Sequence, residues 1–411
     1  MKAQVCVSGI GVVAPNGIGK EAFWHSLRHG ISGISRISLF DPKELKAQIA
    51  GEVRGFNEQE LLSKPFKTNR MARHTKFALV AADEALADAG LPLAEAPPDY
   101  PVPIVMGVGT SACDVLGKNY ECMMRRGLKG ALPTTVDAAL PQAPAAAISE
   151  YVDVNARVLT MSSACAAGLD AIAHAMELIE SERTDIAIAG GTDAPITPLS
   201  FASFSAAGLA SSRNDSPETA SRPFDRERDT GVISEGAGVV VLENLEHALA
   251  RGATPYMLLS GYSVQRDPSR APAPATGLGM TMEQAMNNAG KRPTDIDYIC
   301  AHGPSHPTLD LVETTMIKQA LSRRAYAIPV SSIKGVLGNP LSAAGPLQVA
   351  ACGLALRAQQ VPPTANYEFP DPKCDLDYVP KEAREQKLDC AMINAHGVGG
   401  GNTSMVVERV A

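Results

Sequence analysis

Short apolar runs, each broken at a glycine or a polar cluster, alternate along the chain with stretches whose apolar residues recur every three to four positions. VCVSGIGVV, PVPIVMGVGT, RVLTMSSA and DIAIAGGTDA are of the first kind and predict buried strands. KEAFWHSLRHG and the Ala-rich AAGLDAIAHAMELIESE are of the second and predict helices. The theme returns downstream: TPYMLLSGYSV, DIDYICAHG, IPVSSIKG and DCAMINAHGVGGG predict strands, TMEQAMNNAG and AAGPLQVAACGLALRAQ helices. Such alternation predicts a layered α/β fold. Two sections each open with an apolar strand that breaks at a glycine, Gly9 and Gly261. They suggest a duplicated α/β unit, residues 1–250 and 251–411, divided near Arg251-Gly252. Ser211 to Arg228 and the proline-bearing Asp267 to Gly279 predict ordered loops.

Composition narrows the class. Of 411 residues, 45% are hydrophobic and 20% charged, as in an ordinary soluble globular protein. A net charge of −7 argues against nucleic-acid binding, so an anionic partner would need a local basic patch. The eight cysteines show no CxxC pair and no zinc-like Cys/His spacing, which predicts reduced thiols and no metal site. The chain runs straight into a strand without a signal-peptide pattern, and no apolar run is long enough for a membrane span. A cytoplasmic enzyme is expected.

Four segments hold candidate chemistry. VLTMSSACAAGLDAIAHAMEL puts Cys165 between a strand and a helix whose N-terminal dipole favours the thiolate. Small neighbours leave its sulfur reachable, although the same context suits a buried structural cysteine. His302 ends the strand of DIDYICAHG, where open α/β sheets present functional groups, or it is a structural histidine. Lys334 and Asn339 follow another strand; taken singly, Lys334 reads as a surface charge or an ion-pair partner and Asn339 as a turn former before Pro340. INAHGVGGGNTS is a glycine-rich loop, either offering bare amides to an oxyanion or making a tight turn.

Taken together, SGIGVVAPNG, SSACAAGLDA, SRPFDRERD, SEGAGVVVLENLEHALARGA, AHGPSHPTLD, SSIKGVLGN with SAAG, VPPTANYE, CDLDYVP and NAHGVGGGNTS make a resemblance over essentially the whole chain. It resembles the elongating β-ketoacyl-acyl carrier protein synthases, the ketosynthases of fatty acid and polyketide synthesis. The resemblance implies a thiolase-like fold: two pseudo-duplicated βαβαβαββ halves in an α-β-α-β-α layering. It implies a homodimer, or a heterodimer with a ketosynthase-like subunit, and substrates on the phosphopantetheine arm of an acyl carrier protein with no further cofactor. Cys165 then corresponds to the nucleophile, the amides of Cys165 and Val398 to the oxyanion hole, and His302 and Asn339 to the donors for a malonyl-derived enolate. Lys334 corresponds to the lysine that orients the site.

Departures from the family pattern are informative. Asn339 stands where elongating enzymes carry a second histidine; it can donate a hydrogen bond but cannot carry a proton at neutral pH. The usual His-Gly-Thr-x-Thr-Pro is His302-Gly303-Pro304-Ser305-His306-Pro307, so Ser305 and His306 are the polar groups left to meet the carrier arm. His306 either donates there or fills space. The usual Phe-Gly-Phe is His396-Gly397-Val398, Gly231 replaces a phenylalanine, and Gln348 replaces a glutamate that would pair with Lys334. Asp310 and Glu313 remain as its possible partners. Lost ring volume at Val398 and Gly231 predicts a wider cavity and an unusual acyl chain: bulky, aromatic or polyunsaturated.

The leading expectation is decarboxylative condensation of an acyl-Cys165 thioester with a malonyl-carrier thioester. The rival is a non-elongating acyltransferase or hydrolase that keeps Cys165. A chain-length partner subunit would lack that cysteine. A dinucleotide-binding oxidoreductase is disfavoured because Pro15-Asn16-Gly17 interrupts the helix that would follow Gly9-Ile10-Gly11. Candidate carrier-docking residues are Lys64, Lys67, Arg70, Arg73, Arg125, Arg126 and Arg213, unless they are ordinary solvated surface.

Overall fold

The computed structural model describes residues 3–95, 97–271 and 273–410; position 272, inside the expected 267–279 loop, lies outside them. Ten strands form the frame: β1 (Val5–Ala14), β2 (Val102–Val108), β3 (Ala156–Met161), β4 (Ile186–Asp193), β5 (Gly236–Asn244), β6 (Met257–Arg266), β7 (Tyr298–Cys300), β8 (Val330–Ser331), β9 (Cys390–Gly397) and β10 (Gly401–Glu408). Their spatial order is β8-β7-β9-β10-β6-β1-β5-β4-β2-β3, with a short strand, Gly17–Ile18, folded back on β1.

The order is the same motif twice. In the first half β1 pairs antiparallel with β5, β5 antiparallel with β4, and β4–β2 and β2–β3 are parallel. In the second, β6 pairs antiparallel with β10, β10 antiparallel with β9, and β9–β7 and β7–β8 are parallel. β1 and β6 join the halves through an antiparallel contact at Val5–Leu259.

Five helices cover this sheet: α1 (Arg73–Ala89), α2 (Ala167–Glu180), α3 (Leu278–Asn288), α4 (Pro307–Leu321) and α5 (Ala344–Ala358). Strands buried on both faces feed two cores by alternation. Along β5, Val240 and Leu242 enter a central core with α2 and α5, while Val239 and Val241 enter an outer core with Phe77, Ala78 and Ala81 of α1. Along β9, Ala391 and Ile393 face the central core, and Cys390 and Met392 face a second outer core with Leu278, Met282 and Ile317 of α3 and α4. Three cores between five layers give α-β-α-β-α. Glycines let helix and strand backbones touch: a Cβ at Gly11 would fall 1.7 Å from the Ala81 carbonyl oxygen.

Two expectations change. RVLTMSSA is not a buried strand: β3 is the outer edge, paired only with β2 and half-exposed. IPVSSIKG contributes only a two-residue strand, after which Lys334–Leu337 is a helical turn.

Candidate active site

The duplicated motif places two chain reversals opposite one another. After β3 a 3-10 turn, Ala164–Ala166, leads into α2; after β8 an equivalent turn, Leu341–Ala343, leads into α5, and the two turns pack together. The residues opening these turns, Ala164 and Leu341, have φ of 54° and 51°, a left-handed backbone that non-glycine residues adopt at a cost. Cys165 follows the first of them.

Buried carboxylates hold these turns. Asp170 of α2 accepts from Ser163 Oγ and from Thr403 Oγ1 of β10, tying the approach to Cys165 to the second half. Asp193, at the end of β4, accepts from the amide and hydroxyl of Thr110, the amide of Gly109, and the amide and hydroxyl of Ser342. The three segments that meet at Asp193, and the Thr403 partner of Asp170, are remote in sequence, so sequence reading missed both acids.

Cys165 is 6% exposed and borders a cavity of about 890 Å³ that His302, Asn339, His396, Val398, His306 and Gly231 also line. Burial pushes its thiol above the ordinary value, against the downward pull of the Lys334 cation, the Val398 N–H and the Asn339 side chain. The sequence suggested a thiolate favoured by the helix dipole; in the folded site burial is the largest influence on the thiol and acts the other way.

His302 is fixed from three sides. Its backbone N–H and that of Gly303 donate to the Glu313 carboxylate at 2.8 and 2.7 Å. Lys334 Nζ lies 2.9 Å from its Nδ1 and donates to its carbonyl oxygen at 2.6 Å, and the His396 N–H donates to Nδ1 at 3.2 Å. Two donors aimed at Nδ1 make that atom the acceptor, so the ring hydrogen sits on Nε2. Burial, with the Lys334 cation next, pushes the His302 pKa well below the usual value, so the ring is neutral. Lys334 is fully buried, and burial pulls its pKa down to about 8, while Cys165, Glu313 and Asp310 pull it up. No ion pair joins Lys334 to either acid among the described residues; they act on it through space. Glu313 instead binds the His302 and Gly303 amides, and Asp310 accepts from the Phe224 and His306 amides.

Asn339 is set by backbone bonds on both sides: its N–H donates to Val232 O at 2.7 Å and its carbonyl accepts from Ser234 N–H at 3.0 Å. Gln348 lies behind, its Nε2 donating to the carbonyls of Cys300, Ala301 and Asn394 and so clamping the ends of β7 and β9.

Other predicted positions divide. His306 borders the cavity and caps α4, its Nδ1 accepting from the Thr308 and Leu309 amides. Ser305 does not reach the cavity: it is fully buried, and its hydroxyl accepts from the Arg222 N–H at 3.0 Å. At Gly231 the place of a Cβ is already taken, 2.6 Å from the Pro304 carbonyl oxygen, so the missing ring does not simply enlarge the cavity. The Val398 residue is 68% exposed at the mouth. Lys64, Lys67, Arg70, Arg125 and Arg126 are exposed. Arg213 is half-buried beside Asp229. Arg73 turns inward to a bidentate pair with buried Glu235 and stacks over Phe77, because a buried carboxylate needs a partner.

Residues 2–248 match the family model for the beta-ketoacyl synthase N-terminal domain, and residues 256–368 that for the beta-ketoacyl synthase C-terminal domain. The chain belongs to the beta-ketoacyl synthase family. It is 38% identical over 413 residues to 3-oxoacyl-acyl-carrier-protein synthase 2 of Coxiella burnetii, covering 100% of this chain and 99% of the relative. It is also 38% identical to the tetracenomycin polyketide synthase ketoacyl synthase alpha subunit of Streptomyces glaucescens, covering 99% of this chain and 97% of the relative. A solved structure of a type II PKS acyl-carrier protein in complex with its ketosynthase bound to the hexaketide matches with a TM-score of 0.89 at 33% identity, over 100% of both chains. The duplicated five-layer architecture is thus the thiolase-like ketosynthase fold. Among the described residues, no helix is long and apolar enough to cross a membrane.

Proposed function

We propose that the protein is an acyltransferase-type condensing enzyme that loads an acyl chain onto Cys165 and extends it with a malonyl unit carried on an acyl carrier protein. In loading, the Cys165 sulfur attacks the acyl thioester, the carbonyl oxygen becomes an oxyanion facing the Cys165 and Val398 amides, and the carrier's pantetheine thiolate leaves. In the second half-reaction the malonyl thioester loses carbon dioxide. Its enolate oxygen is held by His302 Nε2–H and the Asn339 carboxamide, its carbon attacks the acyl-Cys165 carbonyl, and the Cys165 thiolate is released. Lys334 fixes the His302 tautomer and supplies positive charge behind the site.

The observation that carries this reading is the doubly occupied Nδ1 of His302, which leaves a hydrogen-bond donor, not a base, beside Cys165. Asn339 supplies a second donor of the same kind, so replacing histidine there is compatible with enolate binding.

Residues 1–250 and 251–411 serve as the two halves, the first bringing the nucleophile and the second the donors. The carrier arm enters past His306 and Val398. Its protein docks on the exposed Lys64, Lys67, Arg70, Arg125 and Arg126, with Arg213 at the border, and this attraction weakens with salt. The open edge of β3 supports pairing with a second copy or a ketosynthase-like subunit. No metal takes part, and the setting is cytoplasmic. The test is to supply acyl carrier and malonyl carrier together and analyse the carrier-bound product. A chain longer by two carbons supports condensation; an acylated enzyme with only transferred or hydrolysed acyl groups supports the non-elongating alternative.

A further inference from the structure

The imidazole at position 396 has a tautomer set by a chain of partners that begins outside the central site. Asp267, in the loop after β6, accepts from the amides of Ala275 and Gly277 at 2.9 and 2.8 Å and from Asn402 Nδ2 at 2.8 Å. A carboxylate bound this way only accepts, so Asn402 turns its nitrogen to Asp267, and that nitrogen also reaches the Gly400 carbonyl. The Asn402 oxygen then faces His396 Nδ1 at 2.9 Å. An amide oxygen only accepts. The hydrogen of His396 is therefore on Nδ1, and its Nε2 carries a lone pair.

This is the opposite of the other two imidazoles bordering the cavity. His302 accepts at Nδ1 from Lys334 and the His396 amide, and His306 accepts at Nδ1 from the cap of α4, so both carry their hydrogen on Nε2. The rings of His302 and His396 meet edge to face with centroids 5.9 Å apart. His396 lines the same cavity as Cys165, and the backbone that follows it runs beside the nucleophile's turn. The next residue, Gly397, lies against the turn that carries Cys165: a Cβ there would sit 2.4 Å from Ser163 O and 3.4 Å from Cys165 N. The Val398 N–H, one residue further, is one of the groups that pull the thiol's pKa down against burial. Asn339 cannot take up a proton at neutral pH, and the two other rings offer N–H groups.

We propose that His396 is the proton acceptor of this site, taking the proton of Cys165 as its sulfur attacks the incoming acyl thioester. The S–H bond breaks and N–H forms at Nε2; the sulfur–carbonyl bond forms; the carrier's C–S bond breaks, and its pantetheine thiolate recovers the proton from His396. This rests on the ketosynthase reading for its substrate, but the proton transfer belongs to Cys165 and His396 alone. The charged and titratable groups around His396 are Asp267 through Asn402, Lys334 and His302 behind the site, and Cys165, His306 and Arg266 on the cavity wall. Burial keeps the resting ring neutral, while Asn402 and Asp267 favour the imidazolium that forms.

The test is the pH profile of iodoacetamide alkylation at Cys165, read by peptide mass, in the unaltered protein, His396→Phe and His396→Gln. Gln keeps a polar side chain of similar reach without a base. Both variants are expected to shift the profile to higher pH by about one unit, slowing alkylation at pH 7 roughly tenfold and matching the unaltered protein at high pH. An unmoved midpoint, or slowing by the same factor at every pH, overturns the proposal. Because no acyl or malonyl carrier is present, the outcome is independent of whether the protein condenses, transfers or hydrolyses acyl groups.

Discussion

Lys334 Nζ stands 2.9 Å from His302 Nδ1 and also donates to the carbonyl oxygen of the same residue. One buried cation thus fixes the ring's orientation and its tautomer, and it lowers the cost of negative charge on Cys165. The rest of the site is arranged around this pair.

That pair predicts an alkaline limit. Burial brings the Lys334 pKa down to about 8. The ammonium is complete below that pH and is lost as pH rises through it, taking with it the charge that favours the Cys165 thiolate. Acyl loading should therefore fall above about pH 8, and Lys334→Met should be slower at pH 7 and lack this limb. A pH profile of the acylation rate checks it. His302, already neutral, should contribute no step near its ordinary pKa.

Asn339→Ala should separate the two half-reactions. Its backbone bonds to Val232 and Ser234 remain, but the carboxamide donor is gone. Loading should stay within about tenfold while condensation drops on the order of a hundredfold, the usual effect of removing one oxyanion donor. Single-turnover measurements of each step show the split.

Gly397→Ala should act through the loop. The new methyl would lie 2.4 Å from Ser163 O and 3.4 Å from Cys165 N, so the Val398 amide must move away from the thiol. A loss of roughly a hundredfold in acylation is expected, together with a lowered thermal midpoint, because backbone must give way to the methyl.

Asp193 ties the turn at Ser342 to the end of β2 rather than taking part in the chemistry. Five donors from two segments, Gly109-Thr110 and Ser342, converge on it. Asp193→Ala strands several of them in a buried setting, and a destabilisation of about 3 kcal/mol is expected in denaturant titration.

The sequence is explicit about some of this and silent about the rest, for physical reasons. Glycine-broken apolar strands, the Cys165 strand–helix junction and the duplicated order follow from local pattern and local steric need. Helix α1 went unpredicted although KFALVAADEALADA has the apolar spacing, and so did α4. The edge position of RVLTMSSA depends on what lies beside it, which periodicity does not encode. Arg73 reads as surface charge until Glu235, 162 residues away, is seen to bind it. The same distance problem hid Asp170, Asp193 and the Asp267–Asn402–His396 chain. A buried carboxylate is legible only once its remote N–H and O–H partners are placed.

Intact-mass analysis of the enzyme, incubated with acyl carrier and then with malonyl carrier, tests the central claim most directly. The account predicts one acyl adduct, located on Cys165, absent in Cys165→Ala, and discharged by malonyl carrier into a lengthened chain. An adduct that persists in Cys165→Ala, or one on Cys165 that malonyl carrier leaves without any lengthened product, would contradict it.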